Sequence, residues 1–232
     1  MGHDMEPYES VALVEKYRQY WKPNKISVIL LAESHVFTSD ENRQIIIHQL
    51  PALPSYPTEY AKFVYCLAYG ERQLTENNSH PQRDGTPQFW KIFYSCNNRI
   101  TAKKDFSPVL SKTNYEQRIK NKIELLLRLQ QKGIWLVDSS IIALYNNGKK
   151  PENKIMSSVI RTSWAGYTRG VIEKADPALI ICIGQGVYSI LKNDIKKLVG
   201  NRCKVMLQPN ARLKSEEHMA NFKKYGELCC KE

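Results

Sequence analysis

The chain reads as an α/β protein, a three-layer α/β/α sandwich around a central four-stranded, mainly parallel sheet. Four short apolar runs predict the strands, at 26–31, 134–137, 178–183 and 204–207; they lack polar alternation, as strands buried on both faces do. Stretches with helical spacing separate these runs, so successive strands are joined by right-handed crossovers and lie parallel. With 42% hydrophobic and 25% charged residues over 232 positions, the chain can bury a real core, which excludes collagen-like, low-complexity and disordered classes.

Residues 9–21, ESVALVEKYRQYW, place apolar and aromatic groups at helical spacing until Pro23 ends the pattern. KISVILLA follows as the first strand and opens into Glu33-Ser34-His35-Val36-Phe37-Thr38, polar groups emerging where a strand's carboxyl end should be. From about 40 to 112, Pro51, Pro54, Pro57, Pro81, Pro87 and Pro108 break the chain into short pieces. TEYAKFVYCLAYGE and PQFWKIFYSC are expected there as short helices, and no strand is expected. NYEQRIKNKIELLLRLQQKG then shows i, i+3, i+4 apolar spacing and ends in Gly133, an amphipathic helix with a glycine cap.

IWLVD follows at once as the second strand. Beyond a loop rich in Asn, Gly and Lys, residues 155–174 are helical by period, ADP turns the chain and ALIICIG is the third strand. Residues 186–199 form another helix, KVMLQ is the fourth strand, and EEHMANFKKYGE closes as a helix. No repeat and no long linker divides the chain, so a single domain over 1–232 is expected.

Lys and Arg number 34 against 23 Asp and Glu, a formal charge of +11. Such a surplus concentrates polyanions and makes nucleic acid the first partner to consider, although it names no substrate. No apolar run approaches the roughly 20 residues of a bilayer span, and MGHDMEPYES lacks a signal-peptide apolar stretch. The expectation is a soluble monomer, cytoplasmic or nucleoid-associated, without a membrane partner. The six cysteines, at 66, 96, 182, 203, 229 and 230, form no CxxC pair, so neither zinc nor an iron-sulfur cluster is expected. Buried reduced thiols are expected at Cys66, Cys96, Cys182 and Cys203, and tail thiols at Cys229 and Cys230.

Ligands of open parallel sheets bind beyond the carboxyl ends of the strands. Those ends read Ala32-Glu33-Ser34-His35, Asp138-Ser139-Ser140, Gly184-Gln185-Gly186 and Gln208-Pro209-Asn210-Ala211-Arg212. The third invites a dinucleotide reading, but Ser189 stands where the fingerprint's last glycine belongs and no acidic residue is clearly placed about 20 positions on. Close helix-to-strand packing explains both glycines, and no cofactor is expected.

Taken in order, LLAESH, GIWLVDSS and MLQPNAR resemble the strand-end motifs of the uracil-DNA glycosylase superfamily. SWAGYTRGVIEKADPALIICIGQGVYSIL is similar to that family's helix, strand and glycine turn, and the resemblance spans about 26–218. It implies that the first motif positions a hydrolytic water, the second reads a flipped base, and the third, His-Pro-Ser-like in the family, is followed by a wedge. The chain departs from the pattern at Ser34-His35, where the family has a small residue or Asp followed by Pro. It departs again at Gln208 in place of histidine and at Asp138 in place of the base-reading asparagine.

Breaking an N-glycosidic bond makes an oxocarbenium-like sugar and an anionic base, so the enzyme needs a held water on one face and donors to the base on the other. Glu33 suits the water, within a motif shared with Ser34; His35 suits a donor or a second group on the water; and Gln208 suits an amide donor to the leaving base. Their plain alternatives are a capped loop, a structural hydrogen bond and a turn residue. An ionised Asp138, beside Ser139, can only accept, which fits cytosine N4–H better than uracil O4; protonated, it could donate to N3. Its plain alternative is to cap the next helix. Phe37 is the expected stacking surface, with Phe89 or Trp90 next. Base flipping needs a wedge and phosphate contacts, for which Asn210, Arg212, Leu213 and Lys214 are placed.

The resemblance thus implies a monofunctional DNA glycosylase that needs no metal or cofactor, leaves an abasic site at a uracil-like or modified, cytosine-derived base, and serves repair or defence against foreign DNA. Two other readings stand beside it: a nucleic-acid-binding protein of the same fold with reduced catalysis, and an unrelated nucleotide-binding α/β enzyme.

Overall fold

A computed structural model describes residues 6–76, 85–145, 151–208 and 211–229. The four apolar runs form β1 (Val28–Ala32), β2 (Ile134–Asp138), β3 (Leu179–Ile183) and β4 (Cys203–Met206), a four-stranded, all-parallel sheet in the order β2-β1-β3-β4. With the helices it makes the α/β sandwich that the sequence predicts. Val28 stands opposite Leu179 and Ile180 opposite Cys203. The chain passes from β1 outward to β2 and then returns across β1 to β3. The strand order therefore reverses between β1 and β3, and this topological switch point is where an open α/β sheet receives a ligand. No helix among the described residues is long and apolar enough to cross a membrane.

Contacts divide the chain into two compact units that interleave along the sequence. One takes Met1–Trp21, Glu33–Thr86 and Asp138–Gly170; the other takes Lys22–Ala32, Pro87–Val137 and Val171–Glu232.

The second unit carries the sheet up to Val137, with helices α3 (Pro87–Asn97), α4 (Tyr115–Gln131), α7 (Gln185–Val199) and α8 (Ser215–Cys229). Helix α4 starts as its sequence dictates, with the Asn114 side chain accepting from the Gln117 N–H at 3.0 Å. Gly133 then reverses the chain at φ +73°, and its carbonyl accepts from Ser27 and Val28 N–H at 2.8 and 3.0 Å. A Cβ here would come within 2.5 Å of the Lys25 carbonyl oxygen, so only glycine permits this entry into β2.

Trp90, a secondary candidate for base stacking, is 2% exposed, with the Lys122 ammonium 4.5 Å from its ring centroid. It is core. Cys66, Cys96 and Cys182 are buried as expected, whereas Cys203 on the edge strand is half-buried. Cys229 is not a loose tail thiol: it ends α8 with its Sγ 2.7 Å from that of Cys96, and Cys230 lies outside the described residues.

The first unit holds α1 (Tyr8–Tyr20), the short α2 (Asp40–Arg43) and α5 (Asn153–Ser163), which runs through a π-helical turn at Trp164–Thr168 into α6 (Arg169–Ala175), the last helix shared with the second unit. The segment 58–71, expected as a helix, is instead a series of turns such as Cys66 N–H to Phe63 O and Tyr69 N–H to Cys66 O. Every residue from Phe63 to Tyr69 is buried, so the middle of the segment has no solvent face to set a helical period. Side chains take over its backbone groups. Tyr56 Oη donates to Tyr65 O at 2.8 Å and accepts from Leu67 N–H at 2.7 Å, and Trp21 Nε1 donates to Tyr65 O at 3.3 Å.

Candidate active site

Where the chain leaves β1 and β2, two loops of the first unit are stitched together. The Glu33 carbonyl accepts from Ser140 N–H at 3.0 Å and from the Ser139 hydroxyl at 2.9 Å. Ser34 Oγ accepts from Leu144 N–H at 3.2 Å, and Tyr145 donates its hydroxyl to Glu33 Oε2 at 2.9 Å. Burial first and the Glu33 charge second push the Tyr145 phenol up to about 12, so it stays a donor. Glu33 is half-buried, and its Oε1 makes no hydrogen bond among the described residues. One carboxylate oxygen is thus held by Tyr145. Phe37, four residues on, is also half-buried.

The same unit holds a buried chain of charges. Glu6, only 9% exposed, accepts at Oε1 from Thr38 N–H (3.1 Å) and at Oε2 from Ala143 N–H (2.8 Å) and His35 Nε2 (2.8 Å). His35 Nδ1 stands 3.6 Å from Asp138 Oδ2, too long for a hydrogen bond and close enough for strong charge attraction. That same Oδ2 accepts from Arg18 Nη2 at 2.7 Å, and Arg18 Nη1 donates to Glu15, which also takes the Tyr167 hydroxyl. The Arg18 guanidinium lies 5.2 Å from the Phe63 ring centroid. His35, Asp138 and Arg18 are each at most 4% exposed. Anion and cation alternate from Glu6 to Glu15.

Burial alone would lower the His35 imidazole, but Asp138 and Glu6 outweigh it and raise it above its ordinary value. Burial alone would raise the Asp138 carboxyl, but His35 and Arg18 outweigh it and hold it below the usual range. Asp138 is therefore an ionised acceptor, and the protonated form that could donate to a base N3 is disfavoured. Nor does Asp138 cap a helix, because its Oδ2 is bound to Arg18 and residues 139–145 form no helix.

These two shifts set a pH window. A raised histidine stabilises the fold fully below its unfolded value of 6.5 and loses that contribution as pH rises through its folded value. A depressed aspartate stabilises above its unfolded 3.8 and loses it as pH falls through its folded value. Thermal stability is expected to peak between about pH 4 and 6.5 and to fall above it, and His35→Gln is expected to flatten the alkaline limb. A calorimetric melting series over pH 4–9 checks this; an alkaline limb unchanged by the substitution would show that His35 is not its source.

The sequence-predicted residues Glu33, Ser34, His35, Phe37, Asp138 and Ser139 all fall in the first unit, and Glu33, Ser34, His35, Asp138 and Ser139 are joined by the contacts above. Gln208, Arg212, Leu213 and Lys214 fall in the second unit, and Asn210 lies outside the described residues. Arg212 and Lys214 are exposed and Leu213 is half-buried. The Gln208 amide makes no hydrogen bond among the described residues, and its side chain lies over Gly184. At φ +108°, a Cβ on Gly184 would meet Gln208 Cγ at 2.7 Å. Gly184 is therefore favoured by its left-handed backbone and by the Gln208 side chain rather than by the expected helix-to-strand packing, and Gly186 is exposed with no atom within 4 Å of a Cβ.

Glu6, Arg18, Glu15 and Tyr145 were missed from the sequence. Arg18 carried a signal, because it lies on the same helical stripe as Ser10, Leu13, Val14 and Tyr17, the buried face of α1. A cation there requires a buried anion. Glu6 and Tyr145 carried none. Comparison of the chain with protein-family models, with curated proteins and with solved structures returns no match.

Proposed function

We propose that the protein is a DNA glycosylase in which Glu33 activates the hydrolytic water. One observation carries the reading: a half-buried carboxylate at the exit of a switch-point strand is aimed by Tyr145 through one oxygen, and in our reading its other oxygen accepts from the hydrolytic water. In the reaction, Glu33 takes a proton as water bonds to the sugar C1′, and the C1′–N bond breaks with its electron pair leaving on the base. Phe37 supplies the stacking surface. An ionised Asp138 suits the N4–H of a cytosine-derived base, with Ser139 and Ser34 fixing the loops around it. Gln208, predicted from the sequence as a donor to the leaving base, belongs to the other unit. DNA is the partner that a +11 chain attracts. Incubation with oligonucleotides containing uracil, hypoxanthine or substituted cytosines, followed by alkaline cleavage, tests the reading; strand breaks at the base support it.

A second reading is favoured by the burial of His35 and Asp138, whose charges are directed at the buried partners Glu6 and Arg18. The protein would then hold DNA without turnover, and the same assay would show salt-dependent binding and no alkali-labile site.

Either reading uses the exposed loop at Arg212 and Lys214. Replacing both with Ala is expected to weaken DNA binding and to reduce the slope of log affinity against log salt by about 2, roughly 0.9 for each lost phosphate contact on duplex DNA. A titration from low to moderate salt in which the double variant matches the parent would remove this loop from the DNA contact.

A further inference from the structure

We propose that Cys96 and Cys229 form a reversible disulfide tying the C-terminal helix α8 to α3. Their Sγ atoms stand 2.7 Å apart, within about 0.7 Å of the ~2.05 Å separation of bonded sulfurs. Local sequence does not force this approach, since the two positions are 133 apart in the chain. Helix packing does. Cys96 is in the last turn of α3, Cys229 ends α8, and the two helices pack on each other. Gly226, three residues before Cys229, permits the close approach: a Cβ there would lie 2.9 Å from the Ser95 carbonyl oxygen. Phe106 and Phe222, with ring centroids 5.0 Å apart, pack α8 further along.

The pair is asymmetric in a way that gives the chemistry an order. Cys96 is fully buried and Cys229 is half-buried, so a small disulfide such as oxidised glutathione meets Cys229 first. The Cys229 thiolate attacks one sulfur, the S–S bond of the reagent breaks, and one glutathione leaves as a thiol. The Cys96 thiolate then attacks Cys229 Sγ and expels the second glutathione. Two protein thiols are oxidised and one small disulfide is reduced. The other described thiols are poor competitors, because burial pushes Cys66 and Cys182 up and raises Cys203 to about 11.

The bond would fix two helices that do more than pack. Asn97 and Asn98 from the end of α3 and Lys223, Gly226 and Glu227 from α8 line a cleft of about 410 Å³, whose facing walls the bond would lock. Helix α8 also holds the exit of β4, where Asn221 Nδ2 and Tyr225 Oη each donate to the Leu207 carbonyl at 3.3 Å, one residue before Gln208.

The test equilibrates the full chain, its Cys230→Ser variant and its Cys229→Ser variant with oxidised and reduced glutathione, followed by alkylation in denaturant, digestion and mass spectrometry. A linked Cys96–Cys229 peptide lighter by two hydrogens is expected in the parent and in Cys230→Ser. Closing a loop of this length should raise Tm by about 5–15 °C, reversibly with dithiothreitol. Cys229→Ser should lose both the peptide and the shift. Recovery of Cys96 alkylated after oxidation, with Cys229 free, glutathionylated or joined to Cys230, would overturn the proposal, as would a Tm shift that survives in Cys229→Ser.

Discussion

Asp138→Asn is expected to lower folding stability by about 3–5 kcal/mol, the usual result of removing one partner from a buried ion pair. The amide keeps the shape and removes the anion, leaving the Arg18 guanidinium and the His35 imidazole buried side by side at most 4% exposed. Arg18→Met should cost a similar amount, because it strands the Asp138 carboxylate. The double variant should cost much less than the sum, since with both charges gone neither is left unpaired. Urea unfolding of the three variants measures this directly, through midpoints at constant slope. Single losses below about 1 kcal/mol would show that water reaches the pair and that the network does not hold the two loops together. The same substitution is the natural probe of base selectivity, so uracil and cytosine-derived substrates have to be compared on the folded fraction of Asp138→Asn. There, excision of uracil should rise relative to cytosine derivatives, because an amide can donate to O4 where a carboxylate cannot.

Glu33→Gln carries the largest expected effect on activity. Glutamine preserves length and can still accept from Tyr145, so the loops joined through the Glu33 carbonyl should stay in place and DNA affinity should be retained. Without a basic carboxylate, single-turnover base excision should fall by roughly 10²–10⁴-fold. Tyr145→Phe is a milder companion, expected to reduce the rate by loosening the carboxylate while leaving binding unchanged. A Glu33→Gln protein that excises at the parent rate would transfer activation of the water to another group.

The sheet was legible because a strand buried on both faces leaves an uninterrupted apolar run, and β1, β2 and β3 are buried almost throughout. The long helices were legible for the opposite reason: α4 and α7 each have a wet face and a dry one, which imposes a period. Segment 58–71 failed because it has little wet face, and its backbone is satisfied by Tyr56 and Trp21 from elsewhere in the chain. At the site, strand-end position picked out Glu33, His35 and Asp138. What those residues touch was not legible. The Glu6 carboxylate reaches His35 across 29 positions and the Ala143 amide across 137, and no local pattern encodes such pairings. Only Arg18 advertised its partner, as a cation on the apolar stripe of α1.

The most direct test of the glycosylase reading is release of free base, measured chromatographically under single-turnover conditions with the parent and Glu33→Gln on matched duplexes that differ only in one base. The parent is expected to release base and alkali-labile sites in equal molar amounts, fastest on a cytosine-derived or uracil-like substrate, while Glu33→Gln binds the same duplex and releases almost none. Tight, salt-dependent binding by the parent with no free base from any of these duplexes would contradict the reading and leave a protein that holds DNA without cutting the glycosidic bond.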